Sequence, residues 1–159
     1  MIDKSKANII GKNPDYHFAK GMDYLNINDM ENAIASFEKG VQDKHTHLLC
    51  RFNLGYTLFK VGHFQEASSQ YSTLSHQCLE QNLHPEEWTP LVQFNKAASE
   101  LQAGKYAESV ESAEVCIDII KGKERESGGN ILNLSKKERE LMITVLTLQG
   151  LSYFRMDKL

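Results

Sequence analysis

Apolar residues between Leu54 and Leu74 fall in two runs at helical spacing. Leu54, Leu58 and Val61 recur every three or four positions, Gly62 interrupts them, and Phe64, Ala67, Tyr71 and Leu74 then resume the rhythm. A helix returns to one face about every 3.6 residues, whereas a half-buried strand alternates every second one. The pattern therefore predicts a helix, a tight turn and a second helix. The chain repeats this pattern. Laying "FAKGMDYLNINDMENAIASFEKG" (18–40) on "FNLGYTLFKVGHFQEASSQYSTL" (52–74) sets Gly21 on Gly55, Ala33 on Ala67 and Phe37 on Tyr71, each pair 34 residues apart. A third copy, "FNKAASELQAGKYAESVESAEVC" (94–116), puts Ala97 in the glycine place, Tyr106 on Phe64 and Ser109 in the alanine place, at an offset of 42. A partial fourth, "LQGLSYFRMDKL", brings Gly150 to the same place 53 residues after Ala97. Strand signals are nearly absent, so an all-α chain of antiparallel helix-turn-helix hairpins is expected.

The residue types fit that unit. Gly55 and Ala67 are small where two antiparallel helices must approach closely, and Phe37 or Tyr71 fills the space further out. Asn13-Pro14 and Thr89-Pro90 each read as a capping residue before a proline at the first helical position, and "SKKE" (135–138) reads as a capping box.

The 34-residue period and the set Leu54, Gly55, Leu58, Gly62, Phe64, Ala67 and Tyr71 resemble the tetratricopeptide repeat family. The resemblance runs from Pro14 to the last residue apart from two insertions. It implies a right-handed superhelical solenoid with repeats at about 14–47, 48–81 and 90–123 and the first helix of a fourth at 138–159. An N-terminal extension (1–13) precedes them, and the insertions are 82–89 and 122–135. Ser109 and Leu74 replace alanines usual in the family, which implies looser packing between the second and third repeats. In a repeat protein each unit buries its apolar side on its neighbour. The final helix carries Leu141, Val145, Leu146, Leu148, Leu151, Tyr153 and Phe154 with no further repeat to cover them. The expected explanation is a piece of a longer repeat protein, with cover by another subunit as the alternative. Either predicts self-association through the C-terminal helix.

Of the insertions, "QNLHPEEWT" (81–89) lengthens the connection between repeats, with Pro85 and Pro90 starting short or separate helical turns and Trp88 read as a staple or plug on a neighbouring helix, a binding hot spot being the alternative. "GKERESGGNILNLS" (122–135) reads as a mobile loop after a long helix, with "NILNL" docking back.

Composition narrows the function. With 159 residues, 41% hydrophobic and 25% charged, the chain buries a real core. A net charge of −3 gives no basic stripe for a phosphate backbone, so nucleic acid is not an expected partner. Cys50, Cys78 and Cys116 are odd in number and scattered, which points to no disulfide framework and a reducing, cytoplasmic setting. No apolar run approaches the ~18 residues of a membrane span, so no membrane insertion is expected. There is no phosphate loop, G-x-S-x-G, H-E-x-x-H or C-x-x-C motif. The histidine pair at 45 and 47 reads as part of a solvated turn. No metal, no cofactor and no enzyme activity are expected.

The family resemblance implies a concave groove lined by first helices, where a partner peptide lies. The residues carried over to that face are Phe18, Ala19, Met22, Leu25 and Asn26; then Phe52, Asn53, Tyr56, Phe59 and Lys60; then Phe94, Asn95, Ala98, Leu101 and Gln102. Asn53 and Asn95 repeat at one place, and a carboxamide can bind an extended backbone without demanding a particular side chain. The alternative is that the asparagine marks ordinary repeat identity and that Phe52 and Phe94 belong to the core. A lysine-asparagine-arginine clamp for a C-terminal carboxylate is not expected, because Phe18, Met22, Leu91 and Asn95 stand at its other places and only Asn53 survives. Three readings remain: a binding module for an extended or helical segment, a structural piece of a larger assembly, or the regulatory part of a longer enzyme or signalling protein.

Overall fold

The computed structural model describes residues 14–43, 47–80, 85–126, 128 and 134–158. Among them there are seven α-helices and no strand: α1 (Pro14–Asn26), α2 (Met30–Asp43), α3 (Leu48–Lys60), α4 (Phe64–Glu80), α5 (Pro85–Gln102), α6 (Tyr106–Glu126) and α7 (Lys136–Met156). The chain divides into two compact units, one through Gln70 and one from Tyr71 onward.

The turn between paired helices is built the same way three times. Asn28, Gly62 and Gly104 occupy one repeat position, and each has a positive φ, of 61°, 87° and 78°. The next residue's N–H reaches back to a carbonyl five positions earlier: Asp29 to Tyr24 at 2.9 Å, His63 to Leu58 at 2.9 Å and Lys105 to Glu100 at 2.8 Å. These bonds satisfy carbonyls that a helix end would otherwise leave without partners, and they require one residue in the left-handed region. Asparagine tolerates that region better than most residues, so Asn28 replaces glycine in the first hairpin.

In the first unit α1 packs on α2, α2 on α3, and α1 touches α3. Ala33, Phe37, Cys50, Leu54, Leu58 and Ala67 form the core. The spacing is tight: a Cβ added to Gly40 would overlap Cys50 Sγ, and one added to Gly21 would overlap the Phe37 ring. In the second unit α5 packs on α6, α6 on α7, and α5 touches α7. Its core gathers Ala97, Ala113, Cys116, Ile117, Ile120 and Met142, with Leu134 and Val145. Here the close approach is made differently: where α1 and α2 pair a glycine with a phenylalanine, α5 and α6 bring Ala97 and Ala113 into one buried cluster. Ser109, in the alanine place, is fully buried; its hydroxyl donates to Ala97 O at 2.8 Å and lies 3.0 Å from Ser152 Oγ. Leu74 is likewise fully buried.

Several sequence expectations need correction. Thr89 and Pro90 do not open a helix: α5 begins at Pro85 and Pro90 lies inside it. The proline removes one intrahelical donor, and burial of Thr89, Pro90 and Val92 holds the turn in place. Residues 122–126 are helical, the end of α6 rather than loop. His47 is not on a solvated turn; it is buried and caps α3, Nδ1 accepting from the Cys50 N–H at 3.1 Å. Its Nε2 meets Asp15 Oδ1 at 2.9 Å. The Ser135 capping box on α7 is present in full, and Leu134, the end of "NILNL", is buried in the second core. Asn13, His45 and Ile131 lie outside the described residues. Cys50, Cys78 and Cys116 are all free and buried.

Candidate interaction surface

The side chains expected on the groove face divide into those sunk in the core and those left outward. In the first unit Phe18, Met22 and Leu25 on α1, and Phe59 on α3, pack against the core from its rim. The Phe18 ring sits 6.3 Å from that of Phe37, and Phe59 meets Phe64 edge-on at 5.2 Å across the turn. Phe52 is half-buried. The outward members are Ala19, Asn26, Tyr56 and Lys60. Lys60 Nζ rests 5.8 Å from the Tyr56 ring centroid, a cation–π pair at the surface.

Asn53 lies half-buried on α3. Its Nδ2 donates to Leu49 O at 2.8 Å, one turn back, while Thr57 Oγ1 donates to Asn53 O at 2.7 Å. The second unit repeats the arrangement on α5: Asn95 Nδ2 donates to Leu91 O at 2.8 Å, and Ser99 Oγ to Asn95 O at 2.8 Å. Each carboxamide thus spends one N–H within its own helix and fixes its rotamer. The amide oxygen and the second N–H remain for an external partner. The hydroxyl four residues on was missed from sequence, although Thr57, Ser99 and Ser152 occupy one repeat position and all are fully buried. A Thr or Ser four residues after each asparagine was the available signal. On the same stretch of α5, Phe94 packs against the second core, and Ala98 and Leu101 are half-buried, with Gln102 exposed.

Several buried titratable groups are tied into the structure. Among the described residues no three His, Cys, Asp or Glu side chains gather as metal ligands. Burial pushes the Cys50 and Cys116 thiols up to about 12. Glu100, buried on α5, accepts from Ser112 Oγ at 2.7 Å, and desolvation raises its carboxyl above the ordinary range. A cavity of about 620 Å³ in the second unit is lined by Pro90, Leu91, Ser135, Lys137 and Leu141, with Lys123 and Glu138 paired at 3.2 Å on its wall. No helix among the described residues is long and apolar enough to cross a membrane.

Residues 14–42, the α1–α2 hairpin, match the family model described as tetratricopeptide repeat. By that match the first hairpin is a tetratricopeptide repeat. Among solved structures, the type III secretion translocator chaperone SycD of Yersinia enterocolitica is similar at a TM-score of 0.68 and 17% identity, over 90% of this chain and 85% of that one. MamA of Desulfovibrio magneticus RS-1 is similar at 0.59 and 15% identity, over 87% and 77%. A further MamA structure reaches 0.60 at 17% identity, over 98% and 85%. At these identities the likeness is one of fold. No curated protein matches the sequence.

Proposed function

We propose that this protein is a non-catalytic interaction module that receives an extended or helical segment of a partner protein along its first helices. The supporting observation is the repeated carboxamide: Asn53 and Asn95 are locked by the same back-bond and flanked by half-buried aromatics. A carboxamide held in one rotamer loses little entropy on binding, and its oxygen and remaining N–H suit a peptide backbone. Tyr56 and Lys60 on α3, and Ala98 on α5, form the surroundings of the two contacts, while Phe18, Met22, Phe52, Phe59 and Phe94 supply apolar walls. Three free, buried thiols favour a reducing compartment such as the cytoplasm. The partner is a protein or peptide, and the module works without cofactor, nucleic acid or membrane insertion.

Photo-crosslinking tests the assignment. An amber-encoded benzophenone at Tyr56 or Ala98 should capture the same protein, and one at exposed Lys39 on α2 should not. Capture from Lys39 alone would place the working surface elsewhere.

A further inference from the structure

The N-cap of α3 is a histidine, a side chain whose charge changes between about pH 5 and 8. His47 holds the place that a serine or aspartate usually fills, and its Nδ1 accepts from the Cys50 N–H at 3.1 Å. A ring nitrogen that accepts carries no proton. The imidazole is therefore neutral with its hydrogen on Nε2, which donates to Asp15 Oδ1 on α1 at 2.9 Å. Both ring nitrogens are committed, and the residue is buried. By contrast Ser135, which caps α7, uses a hydroxyl that keeps its acceptor throughout this range.

Protonation acts on the two nitrogens in opposite senses. At Nδ1 it sets a second donor against the Cys50 N–H and removes that amide's acceptor, since a histidinium has two N–H groups and no lone pair. The Cys50 N–H belongs to the first turn, where no intrahelical carbonyl can replace the lost acceptor. At Nε2 protonation turns the bond to Asp15 into an ion pair. The Asp15 side chain is 86% exposed, so water screens that gain. Of the other groups near the ring, that of Phe18 at 6.1 Å is uncharged, and the Cys50 thiol, pushed up to about 12, stays neutral. Asp43, at the end of α2, is engaged by His17 Nε2 at 3.4 Å, where protonation of His17 reinforces the α1–α2 contact instead.

We propose that His47 is a proton-operated latch on the first turn of α3, closed near neutral pH and released by mild acid. The turn carries Leu49, whose carbonyl holds the Asn53 carboxamide at 2.8 Å. Release of the turn frees that rotamer, so acid weakens the face on which Asn53 stands. The bearing on partner binding rests on the function proposed for Asn53, whereas the latch itself does not, and its state is read with no partner present.

Amide exchange of the full chain tests it, followed by NMR between about pH 7.5 and about pH 5 and corrected for the intrinsic pH dependence of exchange. Protection of the Cys50 N–H should fall by at least ~3-fold relative to Ala33, whose amide bonds Asp29 O in the same unit. The Asn53 Nδ2 hydrogens should exchange faster over the same range. In His47→Asn the cap keeps an acceptor that does not titrate, and Cys50 should stay protected at both ends of the range. In Asp15→Asn, which removes the charge favouring the histidinium, protection should persist to lower pH than in the wild type. Equal Cys50 protection across the range in the wild type, an equal fall in His47→Asn, or a wild-type profile in Asp15→Asn would overturn the proposal. A fall at Cys50 with no response at Asn53 would overturn the link to the binding face. Failure of the binding assignment itself would leave all of these readings unchanged.

Discussion

The ring of Phe37 lies directly over Gly21, with Cδ1 and Cζ each 2.7 Å from where a Cβ would stand. A side chain of even one carbon there forces the two helices of the hairpin apart or drives the ring from its rotamer. Gly21→Ala should cost about 1–3 kcal/mol by overpacking, despite alanine's better helix propensity. The equivalent change at Gly150, where the space is open, should instead stabilise by up to about 1 kcal/mol. Urea denaturation of the two variants gives the comparison, and equal effects would contradict the packing described for α1 and α2.

Glu100 sets a pH dependence. Desolvation raises its folded pKa above the unfolded value, against the opposing effects of Ser112 and Lys96. The folded state then binds the proton more strongly than the unfolded one, so stability contributed by this group falls as pH rises from the unfolded pKa through the folded one. Glu100→Gln, which keeps an acceptor for Ser112, should flatten that decline. Melting temperatures of both proteins across pH 4 to 8 measure it, roughly spanning the carboxylate range. A variant with the same slope as the wild type would assign the dependence to another group.

The hairpins were legible because their determinants are local or repeat: the helical spacing of Leu54 and Leu58, Gly62 at the turn, and the Ser135–Glu138 box. Asn28 in the glycine place was not picked out, yet it adopts the same left-handed geometry. What failed to show were the decisions made by tertiary contact. Pro90 looked like a helix start, and only the burial of its neighbours keeps a helix running through it. Histidine is outside the usual set of capping residues, so His47 was read as solvated; its role depends on Asp15, 32 positions away. Asn53 and Asn95 stand out in the sequence, but their intrahelical bonds to Leu49 and Leu91 depend on a rotamer that sequence does not encode. The phenylalanines of the face proved to be partly rim of the core, as burial of the Phe18 side against Phe37 shows.

The buried thiols should be chemically silent while the chain is folded. With their pKa values pushed to about 12, Cys50 and Cys116 carry almost no thiolate at neutral pH, and Cys78 is shifted the same way. Iodoacetamide labelling should therefore track unfolding across a urea titration, with its midpoint at that of circular dichroism. Rapid labelling of Cys50 in buffer would mean that the α2–α3 contact over Gly40 opens readily.

The hydroxyl of Ser109 joins α6 to α5 and α7 through Ala97 O and Ser152 Oγ. Ser109→Ala should cost about 1 kcal/mol, the net worth of a typical hydrogen bond, because the replacement fits the space. Ser109→Val should cost more, as the added methyls enter a fully packed site. Chemical denaturation of both variants gives the order, and valine tolerated as well as alanine would contradict the close packing.

The interaction module stands or falls on the two asparagines. The protein captured from Tyr56, once purified, should be titrated calorimetrically against the wild type and the Asn53→Ala, Asn95→Ala double variant. Alanine is the better helix former, so the variant should melt no lower than the wild type. If the carboxamides grip the partner, affinity should fall by about 10-fold or more, the equivalent of one to two hydrogen bonds. An unchanged affinity in a fully folded variant would contradict the assignment and leave Asn53 and Asn95 as repeat architecture alone.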